Sequence, residues 1–212
     1  MNIIANPPQK VKAMYDAVLS EMNEGTQMHS LTVSAITKKA GIGKGTAYEY
    51  FSSKEEIISH ALVYHIINRI KEYRGELEKV DGFENKIEYS LMWIMKNYTG
   101  EAAARQVLSG MLSSGDTASK MKKNMMESQG CGMDKLMDII NIIIEEGKKE
   151  DYFREDTEEF EWMSALLSQV SMFLLFLNHK LRGDYANLPS DEKAKELVIK
   201  NIRILVGKPS CG

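Results

Sequence analysis

Leu31–Lys54 reads LTVSAITKKAGIGKGTAYEYFSSK, and this stretch decides the fold. Thr32 is a good N-cap for a helix running to about Ala40. Gly41 stands where a left-handed residue is wanted to end that helix. Gly43 and Lys44 open a second short helix that ends near Phe51. Ser53-Lys54-Glu55-Glu56 has the S-x-x-E pattern of a capping box and opens a third, longer one. Two short helices around a glycine-centred turn are the layout of a helix-turn-helix, whose second helix enters the DNA major groove.

Working outward, Pro7 and Pro8 suit the start of a first helix. Val11, Met14, Tyr15, Val18, Leu19 and Met22 fall on one face of it, and Asn23-Glu24-Gly25 ends it. After Lys54, residues Ile58, Leu62, Ile66 and Ile70 form a long apolar stripe that Asp81-Gly82 closes. Further breaks lie at Thr99-Gly100, Ser114-Gly115-Asp116, Gln129–Gly132 and Gly147–Asp156. The last two helices span roughly Thr157–Arg182 and Ser190–Val206. There is no alternating strand pattern, no hairpin dipeptide between β-branched runs and no internal repeat. The fold class is therefore all-α. A three-helix helix-turn-helix domain at residues 1–54 precedes a larger helical domain at 55–212.

The 212 residues carry 27 basic and 30 acidic side chains, a net charge of −3. Residues 1–54 hold six lysines against four acids, a net of +2, which leaves about −5 for the remainder. A mildly basic head on an acidic body fits phosphate binding confined to one end. The two cysteines, Cys131 and Cys211, form no C-x-x-C pair, so free thiols in a reducing cytosol are expected. MNIIANPP is too short and uncharged for a signal peptide. The densest apolar stretch, Trp162–Leu177, is broken by serines and is shorter than the ~20 residues of a membrane span. A cytoplasmic protein is expected. No Walker-type loop, G-x-S-x-G or H-E-x-x-H is present, so no catalytic residue, metal or cofactor is assigned. His60 and His65 are five apart and do not share a helix face as a metal pair would. His29 and His179 have no evident partners.

A recognition helix needs short or flexible polar residues at its exposed end to reach base edges. Gly43 and Gly45 let the backbone come close, and Lys44 reaches guanine acceptors or a phosphate. Thr46 offers a hydroxyl to phosphate and a methyl to thymine. Tyr48 and Tyr50 offer hydroxyls and ring faces. Thr32 and Lys54, each at a helix start, suit phosphate clamping. Val33, Ile36, Ile42 and Phe51 are assigned to the small core that sets the helix angle.

From about Val11 to Leu62 the chain resembles the DNA-binding domain of the TetR family of transcription regulators. The likeness rests on Leu31-Thr32-Val33, Ile36, Ala40-Gly41-Ile42, Lys44-Gly45-Thr46, Tyr48, Tyr50-Phe51 and Ser53-Lys54-Glu55. It covers about a quarter of the chain. It implies a homodimer with two recognition helices about one DNA turn apart on a near-palindromic operator. It further implies a small molecule in the body that tilts the helix opening at Ser53, and most often repression. Two positions depart from the family. Ala47 stands where a bulky apolar residue is common. Glu49 stands where an aromatic or basic one is common, and it either accepts a hydrogen bond from cytosine or points away from DNA. The N-terminal arm has no arginine for minor-groove reading.

The last two helices carry more apolar surface than one buried face needs, so dimerisation through about residues 157–206 is expected. Candidate pocket residues are Trp93, Tyr98, Met111, Met137, Trp162, Met163 and Phe173, and the 14 methionines suit irregular ligands. Few charges interrupt these helices, so the expected effector is hydrophobic or amphipathic. The alternative is a helical ligand-binding or protein-interaction module that does not read DNA sequence. Glu49 and the weak basic charge support it.

Overall fold

The computed structural model describes residues 6–103, 105, 106, 119, 123, 133–183 and 185–209. The described elements are helical: α1 Gln9–Asn23, a 3-10 turn Met28–Ser30, α2 Val33–Lys39, α3 Lys44–Tyr50, α4 Lys54–Leu77, α5 Phe83–Gly100, α6 Met133–Lys149, α7 Glu159–Arg182 and α8 Asp191–Val206. The chain forms two compact units, Met1–Glu72 with Gly100–Lys135 and Tyr73–Thr99 with Leu136–Gly212. Their boundary falls inside the continuous helix α4.

In the first unit, five of the six apolar α1 positions, Val11, Met14, Tyr15, Val18 and Met22, are buried, and Leu19 packs against them. They meet Ile36 of α2, Ala47 of α3, Phe51, and Ile57, Ile58, Ala61, Leu62, Val63 and Ile67 of α4. Both α1 and α2 end in the same glycine device. Gly25 and Gly41 take φ of +101° and +68°, which costs any other L-residue about 1–2 kcal/mol. The Gly41 N–H donates to the Lys38 carbonyl (3.2 Å) and the Ile42 N–H to that of Thr37 (3.0 Å). Such a cap satisfies two end carbonyls and turns the chain sharply. Residues from far along the chain complete this unit. Ala103 is fully buried in its core. The Gln106 side chain accepts from the Met28 N–H (2.7 Å) and donates to the Thr26 carbonyl (3.1 Å), clipping the loop between α1 and α2.

In the second unit, α4 ends at Leu77 rather than at Asp81-Gly82. Val80 closes a tight turn onto the Leu77 carbonyl (3.1 Å). The buried Lys86 ammonium donates to that same carbonyl (3.0 Å) and to that of Val80, with Glu146 3.7 Å away. These carbonyl and carboxylate partners offset part of the cost of burying the cation. Phe83 sets the core of this unit. Its ring lies 4.3 Å from that of Tyr152 and 5.1 Å from that of Phe153, which stacks on Trp162 at 4.8 Å. Gly147 of α6 makes room, since a Cβ there would sit 2.6 Å from the Phe153 ring and 2.8 Å from that of Phe83. Helices α7 and α8 pair, with Asn201 donating to Gln169 (3.0 Å).

Two glycine-to-alanine changes should have opposite signs. Gly147→Ala should lower stability by about 1–3 kcal/mol through overpacking. Gly75→Ala, on the exposed side of α4 with nothing within 4 Å of a new Cβ, should raise it by roughly 0.5–1 kcal/mol. Urea unfolding of both variants checks this.

Candidate nucleic-acid interface

The turn and its two short helices are built from local rules. Leu31 is buried. The exposed Thr32 caps α2 by accepting from the Ala35 N–H (3.1 Å). That bond uses an acceptor lone pair, so the hydroxyl proton remains available to an external oxygen. Gly41 reverses the chain, and Gly43, in extended backbone, precedes α3.

Helix α3 is two turns long, and its faces differ. Ala47 is fully buried and Phe51, just past the helix end, is nearly so. The Phe51 ring lies 6.2 Å from that of Tyr15 and meets the His60 ring edge-on at 5.6 Å. Lys44, Gly45, Tyr48 and Glu49 are exposed on the opposite side, while Thr46 and Tyr50 are half-buried at its margins. Tyr48 leaves 59% of its surface open. The departure at position 47 thus concerns packing: this residue faces the core.

The cations of the first unit are unevenly committed. Lys12 pairs with Asp16 (2.8 Å), and Lys39 with Glu21 (3.2 Å) and Glu24 (2.6 Å). Lys38 and Lys44 are exposed and hold no ion pair among the described residues. Lys54 donates to the His29 carbonyl (3.0 Å) and lies 3.8 Å from Glu55. It fixes the 3-10 turn against the start of α4, a structural duty with no trace in the local sequence. The capping box opens as expected, with Ser53 Oγ accepting from the Glu56 N–H (3.2 Å). Its reciprocal half is displaced by one residue: Glu56 accepts from the N–H and hydroxyl of Ser52 (2.7 and 2.6 Å). Two histidines have neighbours that sequence spacing did not reveal. His65 lies 3.5 Å from Glu101, and His179 meets Tyr185 edge-on at 4.6 Å.

The candidate pocket residues fall in different places. Trp93 packs on Tyr73 (4.8 Å), whose hydroxyl burial pushes up to about 12. The buried Tyr98 donates to Asn178 (3.2 Å). Trp162 lies beneath Lys148, 5.0 Å from its ring, in the Phe83 cluster. Met137 and Met163 are half-buried, and Met111 lies outside the described residues. Of the six described, Phe173 alone lines the open apolar groove of about 410 Å³ between α7 and α8, beside Met172, Phe176, Leu188 and Leu197.

Residues 27–61 match the family described as bacterial regulatory proteins, tetR family. No curated protein matches the sequence. Among solved structures, the chain is similar to the fatty acid degradation regulator FadR from Bacillus halodurans. The identity is 18%, with 95% of this chain and 96% of that one covered, at a TM-score of 0.64. FadR from Bacillus subtilis, solved in complex with stearoyl-CoA, is 16% identical over 93% and 96%, at 0.61. A TetR transcriptional regulator from a Rhodococcus species is 14% identical over 96% and 98%, at 0.58. At these identities the likeness is one of fold.

Thr32→Ala should lower stability by about 0.5–2 kcal/mol through loss of the cap, while Thr32→Asp, which can cap equally well, should retain it. Equal losses in thermal unfolding would show that the hydroxyl is not holding α2.

Proposed function

We propose that this chain, a member of the tetR family of bacterial regulatory proteins through its segment 27–61, is a ligand-responsive repressor that binds a near-palindromic operator as a homodimer. The observation that carries the reading is the two-faced helix α3. Ala47 and Phe51 anchor it, and Lys44, Gly45, Tyr48 and Glu49 form one open face. In this reading Gly43 and Gly45 allow close backbone approach, and Lys44, Thr46, Tyr48 and Tyr50 contact bases or phosphates. Thr32 gives its spare proton to a phosphate, and Lys54 adds positive charge while holding the 3-10 turn. We assign DNA contact to residues 1–54, and effector binding and dimerisation to 55–212. Such a protein works in the cytoplasm, where its operator is.

The apolar surface of the last two helices supports the homodimer. Phe160, Leu167, Met172 and Leu175 of α7 and Leu197, Ile204 and Leu205 of α8 are exposed, Phe160 at 72%. The helix that holds the Trp162–Leu177 stretch is longer than the sequence suggested: α7 has 24 residues and, by length and composition, is long and apolar enough to cross a membrane. It starts at Glu159 and Glu161 and ends at Lys180 and Arg182, and a second copy covers its face in this reading. Ser168 and Ser171 donate to their own helix carbonyls (3.1 and 2.7 Å), so their hydroxyl protons would stay satisfied when covered. The effector is taken as amphipathic with an apolar portion. The stearoyl-CoA bound by the FadR of Bacillus subtilis makes a long-chain acyl thioester the first probe. The alternative, a helical module that does not read DNA, draws on the exposed acid Glu49.

Selection from random duplexes should enrich a near-palindrome with the wild type and lose it with Tyr48→Ala. Lys44→Ala should reduce the salt slope of binding by about 1 per half-site. A folded dimer that enriches nothing at low salt would favour the module. Sedimentation equilibrium should show Leu175→Glu shifting the protein to monomer, whereas an unchanged dimer would remove this face as the interface.

A further inference from the structure

We infer that Glu49 reads a cytosine in each operator half-site, so that an acid on the recognition face restricts sequence. This rests on α3 being the DNA-facing helix and adds a specificity-determining residue to it. Glu49 is exposed beside Tyr48 and one turn beyond Gly45. It has no hydrogen bond or ion pair among the described residues. Every other acid whose side chain is described in the first unit is engaged. Asp16 pairs with Lys12, Glu21 and Glu24 with Lys39, and Glu72 and Glu101 with Arg69. Glu55 and Glu56 are held at the start of α4. Local spacing explains the exception. The positions three and four residues away from Glu49 are Gly45, Thr46, Ser52 and Ser53, so no cation stands where a helical neighbour would neutralise it.

An unneutralised carboxylate carried towards phosphates weakens binding to any duplex unless a donor meets it there. The edges of the bases in the major groove supply few donors. Guanine presents two acceptors, and thymine an acceptor and a methyl. The adenine amino group is flanked by the N7 acceptor, which repels the second carboxylate oxygen. Cytosine presents its N4 amino group with no neighbouring acceptor on that base, so it is the base a carboxylate selects. Helical side chains lean towards the helix N-terminus, which places the space over Gly45 within reach of Glu49. A Cβ at Gly45 would meet nothing within 4 Å, so this patch of the helix is open to an approaching base pair.

The test is random-duplex selection with wild type, Glu49→Ala and Glu49→Gln, followed by affinities for the selected site and for single-pair variants of it. Circular dichroism confirms that each variant is folded. Wild type should require one C·G pair per half-site and lose about tenfold or more when it is replaced. Glu49→Ala should lose that requirement alone, keep the others, and bind unrelated duplexes at least as well as wild type. Glu49→Gln should move the preference at that pair to adenine, since an amide matches the adenine N6 and N7 groups. If both variants select the wild-type site with unchanged preferences, Glu49 points away from DNA and the inference fails. It fails equally if both merely tighten binding to every duplex, because repulsion alone would then be its effect. If wild type selects nothing, the DNA-binding reading fails too, an outcome distinct from the other two.

Discussion

The open face of α3 depends on the burial of two side chains, Ala47 and Phe51. Helix α3 has seven residues, far fewer than a helix needs to persist alone in water. Its geometry is therefore imposed by what its inner side packs against. Phe51 lies among Tyr15, His60 and Tyr50, which ties the end of α3 to α1 and α4. The left-handed Gly41 fixes where the helix begins. With both ends held, the four outward positions on α3 project together.

Electrostatics refine this picture. The charge of +2 on residues 1–54 describes the head poorly, because Lys12 and Lys39 are neutralised by neighbouring acids and Lys54 is committed to a carbonyl. Among the described residues of the first 54, the cations without an ion pair are Lys10 at the start of α1, Lys38 at the end of α2 and Lys44 on α3. Of these, Lys44 stands on the open face of α3, where Glu49 sets an opposite charge. Pairs among exposed groups contribute little stability, so their main effect is to decide which charges remain to meet a partner.

The second unit obeys a different constraint. Its interior is mainly aliphatic with a ring cluster around Phe83, and Gly147 is the space those rings require. Two polar clusters tie its elements together: the buried Lys86 ends α4, and nearer the surface Tyr152 and Arg203 both donate to Glu84 (2.8, 2.9 and 2.7 Å). Burial acts to raise the Glu84 carboxyl, but these hydrogen bonds outweigh it and hold it below the usual range. Among its exposed positions are large apolar side chains along α7 and α8. A surface of that kind marks an interaction site more often than a solvated face.

The amino-acid order by itself determined what is local. The apolar face of α1, the Thr32 cap, the Gly41 turn and the two faces of α3 are legible because helical period and capping act over three to four residues. Even there, Glu56 closes its capping box on Ser52 rather than on the expected residue, a shift too small for a spacing rule to resolve. Only the tertiary structure decided what depends on distant partners. The tie from Lys54 to His29 spans 25 residues, and the clip from Gln106 to the loop at Thr26–Met28 spans about 80. The seven aromatic and methionine residues that could line a pocket show why: core and cavity residues share one composition and one spacing. Trp93 and Trp162 were drawn into separate ring clusters while Phe173 reached a groove, because packing is settled by which surfaces meet, and a one-dimensional pattern records only which surfaces are apolar.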